Sequence, residues 1–379
     1  MIASDVFVIG GGLLGWSAAY ELARTGLSAM VVDRADEGQA TAAGAGIIAP
    51  GTSLNSPEPF FPLAQAAVAH YSTLLAQLAE DGETTTGYDT VGALFIAANA
   101  DEAAQLPSAL AAMRQRRAGG MANLGDLQMI DIAQAKQLFP PLADLPGAIH
   151  VPEAARVNGR LLRDALRRAA ERRGARFMPG NALPTVENGH VTTVEVDGTS
   201  FPAGAVIIAG GAWSNTLGER IGVRLPVYPQ RGQIAHLEFP DVDTSRWPIV
   251  VGSHSHYLLT FPAHRVVAGA TREHDSGYEV RLTAGGVHEV LSEALRVAPG
   301  LAPARIVEFR IGLRPFSPDK LPIVGRAPGL DNVYLATGHG PSGLQLGPVS
   351  AATVVDVIRG EPPRVDLAPF GAGRFAAAL

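Results

Sequence analysis

The chain contains no cysteine. That excludes a disulfide framework, a thiolate metal site, a dithiol redox pair and any prosthetic group tethered through a cysteine sulfur. It also lacks a basic excess: 30 Lys and Arg face 36 Asp and Glu, a net charge of -6, whereas a nucleic-acid surface demands the opposite sign. No apolar run approaches the roughly 18 residues that would span a bilayer. The N-terminus has neither a basic segment nor a small-residue cleavage site, so the sequence reads as cytoplasmic. Charged residues make up only 17% and apolar ones 47%, the balance of a globular protein with a large buried area. At 379 residues that area exceeds one simple core, and two domains are expected. Arginines gather at Arg114, Arg116 and Arg117 and again over residues 160–176. The second set lies on a helical pattern, L-L-R-D-A-L-R-R-A-A-E-R-R, which predicts a solvated helix face rather than a basic groove.

What is present is organised around V-F-V-I-G-G-G-L-L-G at residues 6–15. A short apolar run feeding glycines at 10, 12 and 15 is a strand entering a Gly-rich turn. Gly10 permits the tight turn, Gly12 lets a pyrophosphate approach the backbone, and Gly15 lets the next helix pack on the sheet. That helix, over about residues 13–25, aims free N–H groups at the phosphate, and Gly26 stops it. The next apolar run, 30–32, ends at Asp33, about 20 residues on, where a ribose hydroxyl acceptor belongs. The pattern predicts that the chain binds an ADP moiety.

Residues 35–51, A-D-E-G-Q-A-T-A-A-G-A-G-I-I-A-P-G, are small enough to let something flat or bulky lie on the backbone, with a helix start at Thr41. Helical spacing predicts helices over 63–80 and 101–117, with a strand over 90–98 between them. A further helix begins near Arg160, and short strands follow at 176–178 and 191–196. Residues 206–214, V-I-I-A-G-G-A-W-S, read as a buried strand of the nucleotide-binding sheet. From 227 to 270 the alternation has period two, the mark of an antiparallel sheet with one buried face. The chain closes with G-L-R-P-F-S-P-D-K-L-P-I-V-G, a strand, the loop G-H-G-P-S-G and a helix over about 344–359.

This order of motifs resembles the D-amino acid oxidase and glycine oxidase family of flavoproteins over nearly the whole chain. The resemblance rests on G-x-G-x-x-G, A-G-A-G-I-I-A-P, A-G-G-A-W-S, G-L-R-P-x-x-P-D-x-x-P-I-V-G and G-H-G-x-x-G. It implies an α/β fold: a doubly wound, Rossmann-like FAD-binding domain from residues 1–50, 150–218 and 313–379. An inserted antiparallel-sheet substrate domain would take 51–149 and 219–312. It also implies noncovalent FAD, with the adenosine half on Gly10, Gly12, Leu13, Leu14, Gly15, Asp33 and Arg34. The flavin ring would lie near Thr41, Ala45, Gly46 and Ile47, with Leu183 also contributing. The loop His339, Gly340, Pro341, Ser342, Gly343 and Leu344 would lie at the ring's pyrimidine end, where a helix N-terminus stabilises the negative charge of the reduced form.

The implied reaction is oxidation of an amino acid or related amine to an imine by hydride transfer to flavin N5, followed by hydrolysis. Dioxygen or another electron acceptor completes the cycle. Arg314 is the expected carboxylate anchor, because a guanidinium offers a rigid two-point fork; the competing expectation pairs it with Asp319. Tyr257 matches the family's active-site tyrosine. Arg272 stands where glycine oxidases have an apolar residue and is expected to be a buried second cation, neutralised by a second substrate carboxylate or by Glu273 or Asp275. Pro341 and Ser342 replace an Arg-Asn pair of the glycine oxidases. His254 and His256 are expected on one strand face, without a third ligand for a metal. A quinone- or protein-coupled dehydrogenase, a sarcosine-like secondary-amine oxidase and a non-enzymatic flavin subunit stay open.

Overall fold

The computed structural model describes residues 4–376; residues 1–3 and 377–379, the ends assigned above to the cofactor domain, lie outside the described residues. The first strand, Ser4–Ile9, sits between two parallel partners, Ala29–Asp33 and Thr199–Ile208. Arg176–Pro179 and Val333–Thr337 extend the parallel array on either side. Continuous apolar runs suit strands covered on both faces, and the pleat divides them. Val6, Val8 and Val31 face one core, while Phe7, Ile9, Met30 and Val32 face the other. The first core is closed by helices Leu13–Arg24, Gly159–Arg172 and Gly343–Ile358.

The second sheet runs in the spatial order Arg305–Phe316, Tyr228–Glu238, Arg265–Gly269, Tyr257–Phe261, Ile249–Gly252, Ala93–Ala97, Gly147–Val151, Gln128–Ile130. It is antiparallel except where Ile249–Gly252 meets Ala93–Ala97 in parallel. That single pairing joins two segments far apart in sequence into one sheet. Helix Ala284–Val297 packs Val290, Ala294 and Val297 on the sheet's Leu258 and Ala268. The strands Gly147–Val151 and Arg305–Phe316 cross the expected domain boundaries. We propose a two-part division in which both belong whole to the substrate half.

Two expectations need correction, concerning the histidines 254 and 256 and one helix; the arginines of helix Gly159–Arg172 and its C-cap hold the solvated face expected of them, and from it Arg168 and Arg172 clamp the buried Glu83 at 2.5 and 2.6 Å while Arg173 takes Asp81 at 2.7 Å. Arg168, with Arg172, holds the Glu83 carboxyl below the usual carboxylate range. His254 and His256 lie in the bend between two strands rather than on one. Helix Ala284–Val297 was not expected, because Gly285 and Gly286 near its start mask the helical period. No helix among the described residues is long and apolar enough to cross a membrane.

Candidate active site

A cavity of about 930 Å³ runs from the Gly-rich turn to the second sheet. Two of its glycines are steric necessities. Gly10, at φ +114°, would place a Cβ 2.3 Å from the Ala209 carbonyl oxygen, and Gly46, at φ +102°, one 1.8 Å from that of Val157. Gly12 is the N-cap of the first helix and has extended backbone, and no side chain of its own caps the helix; Thr41 Oγ1 accepts the Leu13 N–H at 3.0 Å. Asp33 stands at the end of its strand. Its Oδ1 accepts from Ala35 N at 2.5 Å and Gln39 Nε2 at 2.9 Å, and its Oδ2 from Gly11 N. With about four lone-pair sites on a carboxylate, one on Oδ2 is left over.

Leu14, Arg34, Ala45, Ile47 and Leu183 also line the cavity, and Arg34 is tied to Asp36 at 2.6 Å. Gly15 does not line it. A Cβ there would meet the Gly10 carbonyl oxygen at 1.8 Å, so this glycine lets the helix sit against the turn.

At the far end, His339, Gly340, Pro341, Ser342, Gly343 and Leu344 form the wall and lead into helix Gly343–Ile358, whose N-cap Ser342 gives it no side-chain cap. The imidazole of His339 is 4% exposed and meets Ser350 Oγ at 2.9 Å. Burial depresses its pKa to about 3, so the ring is a neutral strut. Gln345 Oε1, in the first turn, is buried without a partner.

Between these walls stands Arg314, opposite Gln230 in the strand register. Its Nη1 donates to the Thr271 carbonyl at 3.0 Å and to Gln230 Oε1 at 3.3 Å, and Tyr257 hydrogen-bonds the same guanidinium. Two glycines make the room. A Cβ on Gly232 would fall 2.4 Å from Arg314 Nη2, and one on Gly269 2.5 Å from the Tyr257 ring and hydroxyl. The competing expectation for Arg314 is excluded, because Asp319 is engaged by Arg374 at 2.7 Å.

Arg272 reaches the same cavity from the next segment and donates to the Ser255 carbonyl at 2.5 Å. Glu273 does not pair with it, being committed to Arg231 at 2.6 Å. Arg272 is not buried as expected: its surface faces the open cavity. Its guanidinium is still pulled below the ordinary arginine range, by partial burial first and by the Arg314 charge second. Among the described residues neither arginine is in an ion pair. His254 and His256 also line the cavity but turn to separate acids, Glu102 at 3.5 Å and Glu289 at 3.2 Å; no metal-holding group occurs among the described residues.

Residues 5–357 match the family described as DAO, FAD dependent oxidoreductase. The chain belongs to the DAO family. It is 43% identical over 364 residues to the uncharacterized oxidoreductase YurR of Bacillus subtilis strain 168, covering 96% of this chain and 97% of YurR. The crystal structure of iminodiacetate oxidase from Chelativorans sp. BNC1 superposes with a TM-score of 0.93 at 39% identity, over 97% of this chain and 98% of that one. Glycine oxidase from Geobacillus kaustophilus gives 0.88 at 28% identity, over 99% of both chains.

This DAO-family chain is an FAD-dependent oxidoreductase, and its cavity fits that cofactor. Glycine backbone opens on it where a diphosphate must lie close. Asp33 keeps an acceptor for a hydroxyl, and the unpartnered Gln345 Oε1 is an acceptor awaiting a donor such as a flavin imide N–H. Sequence reasoning missed Gln230, Gly232 and His274, which line the cavity, and the buried Thr271, whose carbonyl accepts from Arg314. The first two were legible in part: Q-R-G in a period-two strand puts residues 230 and 232 on one face. His274 carried no local signal.

Proposed function

We propose that this DAO-family protein oxidises the C–N bond of a small amine that carries two carboxylates, such as an imino diacid or an acidic amino acid. The observation that carries the reading is the pair Arg314 and Arg272, two guanidiniums without acid partners that line one cavity beside Tyr257. Two cations facing one space repel each other and favour a ligand with two negative charges. Arg314 and the Tyr257 hydroxyl would fix the carboxylate next to the reacting carbon, and Arg272 the more distant one. Noncovalent FAD, when bound, supplies the two-electron acceptor. Loss of hydride from carbon and a proton from nitrogen leaves an imine, which water cleaves to an oxo acid and an amine.

Likeness to iminodiacetate oxidase supports this, since iminodiacetate is a secondary amine with two carboxylates. Glycine oxidase, at lower identity, is named for a substrate with one. Reoxidation by dioxygen or another acceptor, and a cytoplasmic setting, belong to the same reading.

The test is anaerobic bleaching of the flavin by iminodiacetate, D- and L-aspartate, D- and L-glutamate, glycine and sarcosine, followed by kcat/KM in wild type and Arg272→Met. Diacids should bleach best and should lose about 10- to 100-fold in the variant, as for one charged hydrogen-bonded pair, with neutral amines unaffected. Equal losses across the panel would sink the assignment.

A further inference from the structure

Between the strand Arg265–Gly269 and helix Ala284–Val297 the chain leaves the second sheet and returns to it. It leaves at Glu273, whose N–H donates to the Arg231 carbonyl and whose carbonyl accepts the Arg231 N–H, both at 3.0 Å. It returns at Thr283, which exchanges two hydrogen bonds with the side-chain amide of Gln233, at 2.9 and 3.0 Å. Partway along, the buried Arg231 donates from Nη1 to the Glu279 carbonyl at 3.1 Å. Residues 274–282 are therefore fastened at both ends to the strand Tyr228–Glu238 and stiffened from it in the middle.

From there the segment reaches the loops of the first sheet. The Tyr278 hydroxyl donates to the Ala212 carbonyl at 3.2 Å, and the ring stacks on Trp213 with centroids 5.9 Å apart and planes at 23°. Two residues on, Val280 packs on Gly38, where a Cβ would lie 2.6 Å from Val280 Cγ2. Ala212 and Trp213 line the cofactor cavity, as do Asp36, Gln39 and Ala40 around Gly38. The first pair follows the strand Thr199–Ile208 and the second group follows Ala29–Asp33, and these strands flank Ser4–Ile9 on opposite edges. Two nearly adjacent side chains thus join the walls on either side of the Gly-rich turn. Tyr278 is still 44% exposed, so water can replace its contacts when they part. Those contacts are protein on protein, and they form with or without the cofactor.

We propose that residues 274–282 are a strap across the cofactor cavity, latched by Tyr278 on Ala212 and Trp213 and by Val280 on Gly38, and that its opening sets the rate at which FAD enters and leaves. The proposal rests on FAD held without a covalent bond, which acid precipitation tests separately.

A latch that closes the free and the loaded protein alike changes rates and leaves affinity in place, because uptake and release both scale with the open fraction. Release is read as flavin fluorescence regained on dilution of the FAD-loaded protein, and uptake as fluorescence lost when apoprotein meets FAD. In Tyr278→Phe, which keeps the ring, both rates should rise about 3-fold, the effect of one hydrogen bond. In Tyr278→Ala, which also loses the stack, both should rise about 10- to 100-fold, with the Kd within about 2-fold of wild type. Gly38→Cys combined with Val280→Cys should hold the strap shut, since the contact described puts the two Cβ atoms within about 4 Å, the range of a disulfide, and the chain has no other thiol. Oxidised, this protein should take up and release FAD about 10-fold or more slower than after reduction; comparison within one protein cancels the strain of a side chain at Gly38, where φ is +81°. Faster release with unchanged uptake in Tyr278→Ala would make the tyrosine part of the binding surface and overturn the proposal. Unchanged rates in that variant, a bridge that does not form, or a bridged protein that exchanges FAD as fast as the reduced one would overturn it as well.

Discussion

Replacing Gly232 by alanine adds one methyl group directly in the path of Arg314. The new Cβ would stand 2.4 Å from Nη2 and 2.5 Å from Cζ and Nη1, far inside van der Waals contact, so the guanidinium has to move. The backbone at Gly232 is ordinary strand, paired with Gly312 across the sheet, and alanine is at home there. The obstructed atoms are the far end of a flexible side chain, so the fold need not adjust. What is lost is aim: the fork leaves Gln230 and the Thr271 carbonyl and no longer meets a carboxylate with two N–H groups. A hydrogen bond to a charged partner contributes about 1.5–3 kcal/mol, which corresponds to about 10- to 150-fold in kcat/KM. Steady-state kinetics on diacid and neutral amino acid substrates should show this loss for both alike, unlike the selective loss in Arg272→Met. The flavin-to-protein absorbance ratio and the melting temperature should match wild type. A fully flavinated Gly232→Ala with unchanged kcat/KM would refute the argument, because it would mean that the carboxylate is held elsewhere.

Gly12→Ala should separate folding from cofactor binding. Its Cβ would meet Thr41 Oγ1 at 3.4 Å, an ordinary contact, so the apoprotein should melt as wild type does while FAD affinity falls about 10-fold or more, roughly 1.4 kcal/mol. Wild-type affinity in a fluorescence titration with FAD would contradict this. Acid precipitation should leave all the flavin in the supernatant, since the chain has no cysteine to tether it; a yellow pellet would disprove it. Stability should fall as pH drops from about 6.5 toward 4. Burial lowers the pKa values of His70 and His236 to about 4 and that of His339 to about 3, so the unfolded chain takes up protons that the folded one refuses. The slope is on the order of 1 kcal/mol per pH unit for each such histidine, and His236→Gln should flatten the melting temperature against pH. An unaltered profile would show that His236 titrates normally.

The cofactor half of the site was legible because its signals are local. The turn at Gly10–Gly15, the acid Asp33 and the loop before Leu344 are each set by a few adjacent residues whose backbone requirements show in their identities. The substrate half was legible only where a motif named it, as with Arg314 and Tyr257. Gln230 and His274 meet across 44 positions, and their pairing depends on how the segment after Gly269 folds back over the sheet. Nothing in E-H-D-S-G announces that. The parallel pairing of Ile249–Gly252 with Ala93–Ala97 was invisible for the same reason, since strand patterns give faces, not partners. Arg272 shows the opposite error: its residue type was informative, but its burial was inferred from the needs of a pocket and not from neighbours.

Four positions within the last five residues of the strand Arg305–Phe316 touch three parts of the site. Gly312 lies against Ala40 and Ala43, Leu313 donates its N–H to the Gly38 carbonyl at 2.8 Å, Arg314 carries the fork, and Phe316 bridges to His339. In machining terms, dimensions taken from one straightedge accumulate no error from joint to joint. The span from cofactor wall to fork is set by covalent rise along one strand, about 3.3 Å per residue, and not by how two bodies happen to close. Arg272, by contrast, is not on that strand: it stands between Thr271 and Glu273, whose backbones bond to Gln233 and Arg231 of the neighbouring strand. Exchanging the side chain at 272 can therefore redirect which amine is accepted while the reacting carbon keeps its place, so new substrates should be reachable by substitutions in the 271–283 connection with the strand left untouched.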